Sequence, residues 1–343
     1  MSTEELVPRL DLTGWGPQDQ ALELKEKHYA EQSLFEKFAE SAPHKVMQRE
    51  PITIPPGIWD KYTKFLDSKG YGKGSVSLIQ LDEFCRGRKF NWLPQKTGSC
   101  VMSNSFRLWV RRCLFECLVL GQAEELLGTN EFGKDNLSFY APVTYGFGRR
   151  RGNMKGGDGS WCSIQYDAFC QDGVVKCNNA KLLSILTKYN AVGEHDFPEP
   201  QDNNVYRMFQ NWQYLDDLKP EAGLKLMETV KLTDIATDRA NLLQFKGSSM
   251  CSSIALKKVG THKDGFDIYA QDRANRWDHN MSKQGLRIAS DGKEFIEVSN
   301  ESWGPNYIYN VPIEEVDRWY KAGMLETQTI GEIDLDDTPM AQL

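Results

Sequence analysis

The sequence predicts an α+β protein with a helical half first and an antiparallel β half after it, and two stretches carry that expectation. From Val101 to Leu127 the chain is apolar-rich, with Met102, Phe106, Trp109, Cys113, Cys117 and Leu120 at three- and four-residue steps. Leu114, Phe115, Leu118 and Val119 fill most of the remaining circumference, the pattern of a buried central helix ending near Gly128. Beyond Gly247 the pattern changes to short β-like runs: Ser252 to Leu256, Phe266 to Ala270, Gly285 to Ala289, Glu294 to Ser299 and Tyr307 to Val311. Turn signals at Lys263-Asp264-Gly265 and Asp291-Gly292 separate them, as expected for an antiparallel sheet or barrel.

The other elements follow in order. Residues 1–17 read as an extended arm, and Gln18 to Ser41 as a helix that covers the main body or docks on another subunit. Pro51, Pro55 and Pro56 impose an extended link, followed by a short helix from Ile58 to Ser68 and an apolar-rich segment from Val76 to Phe84. Residues 145–161 read as a glycine-rich loop lining a cleft, since their glycines match neither phosphate-binding order. A helix from Ser160 to Gln171 closes it. Gly193 to Asn204 suits a surface connection, Tyr206 to Leu218 a packed loop or short helix, and Thr229 to Leu232 a strand. Thr233 to Leu243 suits an amphipathic helix capped by Thr233, Ile313 to Ala322 a closing helix, and Glu332 onward a mobile acidic tail. The expected organisation is an N-terminal extension over 1–85, a helical lobe over 86–245, a β lobe over 246–323 and a tail over 324–343.

Composition narrows the function. The chain has 343 residues, 40% of them hydrophobic and 26% charged, enough for two lobes or one large core. A net charge of −7 argues against general nucleic-acid binding, which needs a basic surface, and Arg149-Arg150-Arg151 reads as a solvated loop. No run approaches the roughly 18 apolar residues of a membrane span. The acidic start Met1-Ser2-Thr3-Glu4-Glu5 is unlike a signal peptide. The expectation is therefore a cytoplasmic protein whose cysteines are free thiols. Cys162, Cys170 and Cys177 lack Cys-x-x-Cys spacing, so no zinc site is read from them.

The chemistry is sought at Gln95-Lys96-Thr97-Gly98-Ser99-Cys100, which sets a cysteine on the first turn of the central helix. A helix N-terminus stabilises a thiolate, and the upstream glutamine can put an N–H where an oxyanion forms. A base is then needed. Of the histidines at 28, 44, 195, 262 and 279, the first three lie in the N-terminal helix or in loops, and His262 reads as a solvated turn residue. His279 lies in Trp277-Asp278-His279-Asn280-Met281, ahead of a strand that runs into Asn300-Glu301-Ser302-Trp303-Gly304. An amide there can fix the imidazole tautomer, with the tryptophan shielding the bond from water.

The order Gln95, Gly98-Ser99-Cys100, His279, Asn300 and Ser302-Trp303-Gly304 resembles that of the papain-like cysteine peptidases. The loop Tyr145 to Ser160, Lys263-Asp264-Gly265-Phe266 and the set Trp277, His279 and Met281 resemble the divergent members common in bacteriophages. Departures are a Gln95 one residue closer to Cys100 than usual, Val101 in place of an aromatic, a long Cys100-to-His279 separation and Glu301 inserted before Ser-Trp-Gly. The insertion offers either Asn300 or Glu301 to His279. The resemblance implies a two-lobe papain-like fold in which Cys100 attacks a carbonyl and His279 is its acid and base. Asn300 or Glu301 would orient His279, and Gln95 and the Cys100 N–H would hold the oxyanion. Gly156, Gly157, Asp158, Ser160 and Trp303 would line the cleft, and no metal or organic cofactor is required.

Three functions fit that reading. One is a hydrolase of a peptide or amide bond in a peptide-like substrate, peptidoglycan or a virion protein. Another is a virion structural protein that keeps the fold as a scaffold and meets neighbouring virion proteins through residues 1–45. The third makes residues 1–85 a pro-segment across the cleft.

Overall fold

The computed structural model describes residues 56–87, 89, 95, 98–119, 139–189, 203–223, 225–226, 229–304 and 306–330. The expectations for the arm, the helix from Gln18 to Ser41, His28, His44, His195, most of the 193–204 connection and the tail from Glu332 lie outside these residues, as do the side chains of Cys113 and Cys117.

Helix α1, Pro56–Ser68, opens with proline, whose fixed φ and missing N–H suit a first turn. Helix α2, Leu78–Arg86, is capped by Ser77, whose hydroxyl accepts from Gln80 N at 3.2 Å. Between them, strand β1, Val76–Ser77, pairs with strand β6, His279–Ile288. Tyr62, Leu66, Val76, Leu78 and Leu81 are buried in the main core. Residues 56–87 thus contribute side chains to the main core.

Helix α3, Cys100–Val119, carries the centre of that core. The Trp109 ring stacks on Phe139 at 5.3 Å and meets Phe169 at 5.2 Å. The helix is not apolar all round, because Arg107, Arg111 and Arg112 are also buried. Arg112 Nη1 donates to the carbonyls of Gln244 and Phe245 at 3.1 and 3.3 Å, which removes the cost of burying that end of the side chain.

Helix α4, Ala141–Arg151, occupies most of what the sequence reading assigned to a loop over 145–161. Its glycines are there for close packing. A Cβ on Gly146 would stand 2.8 Å from the Phe209 carbonyl oxygen, and one on Gly148 would stand 2.7 Å from Gln165 Oε1. That proximity to α5, Cys162–Gln171, and α7, Asn203–Gln210, outweighs glycine's poor helix propensity. Helix α6, Ala180–Lys188, is capped by Asn179. Together with the short α8, Leu215–Leu218, these helices enclose a satellite cluster around Val143, Phe147, Leu182, Val205 and Phe209. Helix α9, Ile235–Leu243, is capped by Asp234, one residue after the expected Thr233.

Among the described residues the sheet has nine strands. Besides β1 and β6 they are β2, Thr229–Lys231; β3, Ser248–Ser252; β4, Leu256–Thr261; β5, Asp267–Gln271; β7, Glu294–Ser299; β8, Ile308–Pro312; and β9, Leu325–Ile330. Their order is β2-β9-β3-β6-β7-β8-β5-β4, antiparallel except for β5 beside β8. Of the run from Ser252 to Leu256, expected as one strand, only the ends are in strands: Ser252 closes β3, Leu256 opens β4, and residues 253–255 connect them. Residues 325–330, expected in the tail, form an interior strand between β2 and β3, with Thr327, Gln328, Thr329 and Ile330 buried. Helix α3 lies against β6 and β3, and α10, Ile313–Lys321, against β7 and β8. Helices and sheet therefore share one core, as an α+β fold requires.

Truncation of the α3 anchor tests this packing. Trp109→Ala should lower stability by about 3–5 kcal/mol, read as a reduced urea midpoint at unchanged slope. A loss below about 1 kcal/mol would mean that the core is centred elsewhere.

Candidate active site

Cys100 is the first residue of α3 and lies in the turn closed by the bond from Ser103 N to Ser99 O at 2.9 Å. Its sulfur accepts from Asn280 N at 3.3 Å, so strand β6 is anchored to the thiol one residue past His279. The side chain is 0% exposed. Burial pushes the thiol well above its ordinary value, while the N–H groups of Asn280, Val101 and Cys100 pull it back in part. In this arrangement burial favours the neutral thiol.

The loop after α4 is fastened to the same turn. The Tyr145 hydroxyl donates to Gly98 O at 3.2 Å and accepts from Gly159 N at 3.0 Å, and Gly159 N lies 3.1 Å from Gly98 O. Arg149, the buried member of the arginine run, donates to the carbonyls of Gly156 and Gly159. Gln210 Nε2 donates to Asp158 Oδ1 at 2.5 Å. Gly157 and Asp158 are exposed, whereas Ser160 is buried.

His279 opens β6 and is buried. Its Nε2 stands 2.7 Å from Asn300 Oδ1 and 3.1 Å from Ser302 Oγ. Asn300 Oδ1 also accepts from the Ser302 hydroxyl at 2.7 Å. A carbonyl oxygen can only accept, so the network puts a proton on Nε2 and makes Nδ1 the basic nitrogen of the neutral ring. The Trp303 ring lies 4.9 Å from the imidazole at 33° and is itself edged by Trp277 at 5.0 Å. These indoles keep water from the His279–Asn300 bond.

Glu301 faces elsewhere. Its carboxylate takes a bidentate bond from Arg111, 2.5 Å from Nη1 and 2.7 Å from Nη2, and accepts from Ser299 Oγ at 2.9 Å. Burial pushes the carboxyl up, but the Arg111 charge and these hydrogen bonds outweigh it and hold it below the usual range. Arg111 Nε donates to Asp82 Oδ2 at 3.2 Å, and Arg86 pairs with the other Asp82 oxygen. Between Asn300 and Glu301, Asn300 is the residue hydrogen-bonded to His279. Gln95 is buried, and its backbone N donates to Ser302 O at 2.7 Å, which sets it beside the same turn.

No protein-family model and no curated protein matches the chain. Solved structures do. Xylellain, a cysteine protease from Xylella fastidiosa, aligns over 75% of this chain and 85% of its own at 14% identity, with a TM-score of 0.46. The digestive procathepsin L 3 of Tenebrio molitor larval midgut aligns over 75% and 69% at 10% identity, TM-score 0.43. The ragweed pollen allergen Amb a 11, a cysteine protease in its proform, aligns over 76% and 65% at 13% identity, TM-score 0.41.

The structure thus brings the Cys100 turn, His279, Asn300, Trp303 and the 156–160 loop into one neighbourhood. His262 is not the solvated residue expected, for it stacks on Phe266 at 4.8 Å between Asp264 and Asp291 in a hairpin turn. Sequence reasoning missed Arg111 and Asn280. A charge on a helix that is otherwise apolar signals the first, whereas at Cys100 Asn280 acts through its backbone N–H, which carries no residue-type signal.

The buried ion pair gives a test. Arg111→Met strands a buried carboxylate and should cost about 3–5 kcal/mol, with adding Glu301→Gln recovering a large part. Because the folded pKa of Glu301 is depressed, its contribution is present above the unfolded value of about 4.3 and lost as pH falls through the folded one. Urea midpoints in Glu301→Gln should therefore fall less steeply below about pH 4.3 than in wild type. Equal slopes would mean that the folded pKa of Glu301 is not depressed.

Proposed function

We propose that this chain is a papain-like cysteine hydrolase acting on a peptide or amide bond through Cys100, His279 and Asn300. The observation that carries the reading is the shielded His279–Asn300 bond on a strand whose next backbone N–H reaches Cys100 Sγ. Nδ1 of His279 takes the thiol proton, and the thiolate attacks the carbonyl carbon. The oxyanion is held by the Gln95 amide and the Cys100 N–H. Imidazolium then protonates the leaving amine, and water, deprotonated by the same histidine, releases the acyl group. Asn300 orients the imidazole. Gly156, Gly157, Asp158 and Ser160 form one wall of the substrate site. The substrate class is peptide-like, with peptidoglycan and virion proteins as the materials that the bacteriophage resemblance suggests.

A second reading has its own support. Full burial of Cys100, which favours its neutral thiol, suits a scaffold that keeps the fold without turnover and works through its interfaces. The two separate cleanly. Peptide libraries and purified peptidoglycan, digested and read by mass spectrometry, should yield cleavage products with wild type. Products should fall by at least about 1,000-fold in Cys100→Ser and His279→Ala. No product with wild type, or equal product with Cys100→Ser, would leave the scaffold reading standing.

A further inference from the structure

We infer that Cys162, Cys251 and Glu326 form a binding site for a thiophilic divalent cation, with Zn2+ the ion that its two-sulfur, one-carboxylate donor set suits. The inference is independent of whether Cys100 is catalytic.

Sheet register builds the site. Asn280, Cys251 and Glu326 are direct cross-strand partners on β6, β3 and β9, so their side chains lie in one row on one face. Cys162, the first residue of α5, closes the row from the helical side, its sulfur 2.8 Å from that of Cys251. The two sulfurs and a Glu326 oxygen all lie within 4.8 Å of one another, and both cysteines are fully buried. Cysteine ligands about 2.3 Å from a tetrahedral ion stand up to about 3.8 Å apart, so binding moves the sulfurs apart by about 1 Å.

The surroundings suit anionic sulfur. Asn280 Nδ2 donates to Cys162 Sγ at 3.0 Å and to Cys251 Sγ at 3.3 Å. The N-terminus of α5 directs positive potential at Cys162. Ser163, through N at 3.3 Å and Oγ at 3.0 Å, orients the Glu326 carboxylate. Outer donors of this kind hold ligands in place around an ion. With both thiols reduced, three groups able to carry negative charge so close together are stable as protonated species or around a cation. On binding, each thiol releases its proton to solvent as its sulfur–metal bond forms, and water fills the remaining position. The ion would tie α5 to β3 and β9, beside the buried cluster in which Cys251 and Cys162 meet Cys100 and Val101. The ligands come from three distant segments, so sequence spacing does not display them.

Co2+ titration of the reduced full-length protein tests the proposal. One equivalent should give a thiolate-to-metal charge-transfer band that Zn2+ abolishes. The band should vanish in Cys251→Ser, persist in Cys100→Ser, and need about 10–100-fold more Co2+ in Ser163→Ala. A folded wild-type protein with no band overturns the proposal even if Cys251→Ser fails to fold. A band that survives in folded Cys251→Ser, or is lost in Cys100→Ser, overturns it as well.

Discussion

Glu301 is buried with its charge, and Arg111 lies three helical turns along α3 from Cys100. The two-pronged contact between them ties the turn that carries Asn300 and Ser302 to the helix that carries the thiol. Desolvating two such ions costs several kcal/mol each, and the pairing recovers this only when the remaining donors and acceptors are filled. Here Gln284, Ser299 and Asp82 fill them. The net gain in stability from such a pair is small, whereas removal of one partner is severe. Its use is therefore to fix position, and Asn300 can meet His279 because Glu301 is held on the other side of the turn.

What could be read from the sequence follows the range of the signals. Cys100 at a helix start and His279 near a strand rest on local patterns: the helix begins at Cys100, whereas the strand expected over Gly285 to Ala289 begins six residues earlier, at His279 itself. Strand Glu294–Ser299 formed at its expected limits. The pairing of Asn300 or Glu301 with His279 stayed open because it depends on Arg111, which is close only in space. Helix α4 was hidden because Gly146 and Gly148 read as loop residues until the packing of Phe209 and Gln165 is known. Strand β9 was hidden because Leu-Glu-Thr-Gln-Thr-Ile is polar, and its buried threonines become favourable only between β2 and β3.

Two opposed effects meet at Cys100. A helix N-terminus is worth about 0.3–1 kcal/mol, up to about 2 in partly buried sites. Complete burial can raise a thiol by about 3–5 pKa units, or roughly 4–7 kcal/mol. Burial wins in the closed state, so the N–H groups around the sulfur do not make a thiolate by themselves. Under the proposed hydrolase reading, activation would require an opening that admits water or substrate and leaves the imidazole of His279, held by Asn300, as the partner of the sulfur.

The most direct test is the rate of Cys100 alkylation by iodoacetamide as a function of pH, followed by mass spectrometry in wild type and His279→Ala. Each opening exposes the pair to the reagent, so the midpoint of the profile reports the thiol in its reactive state. A midpoint near pH 5–6, well below the ordinary thiol value of about 8.5, and lost in His279→Ala, is the predicted result. A midpoint at or above about 8.5 that the substitution leaves unchanged would contradict a thiolate–imidazolium pair and leave Cys100 a core residue.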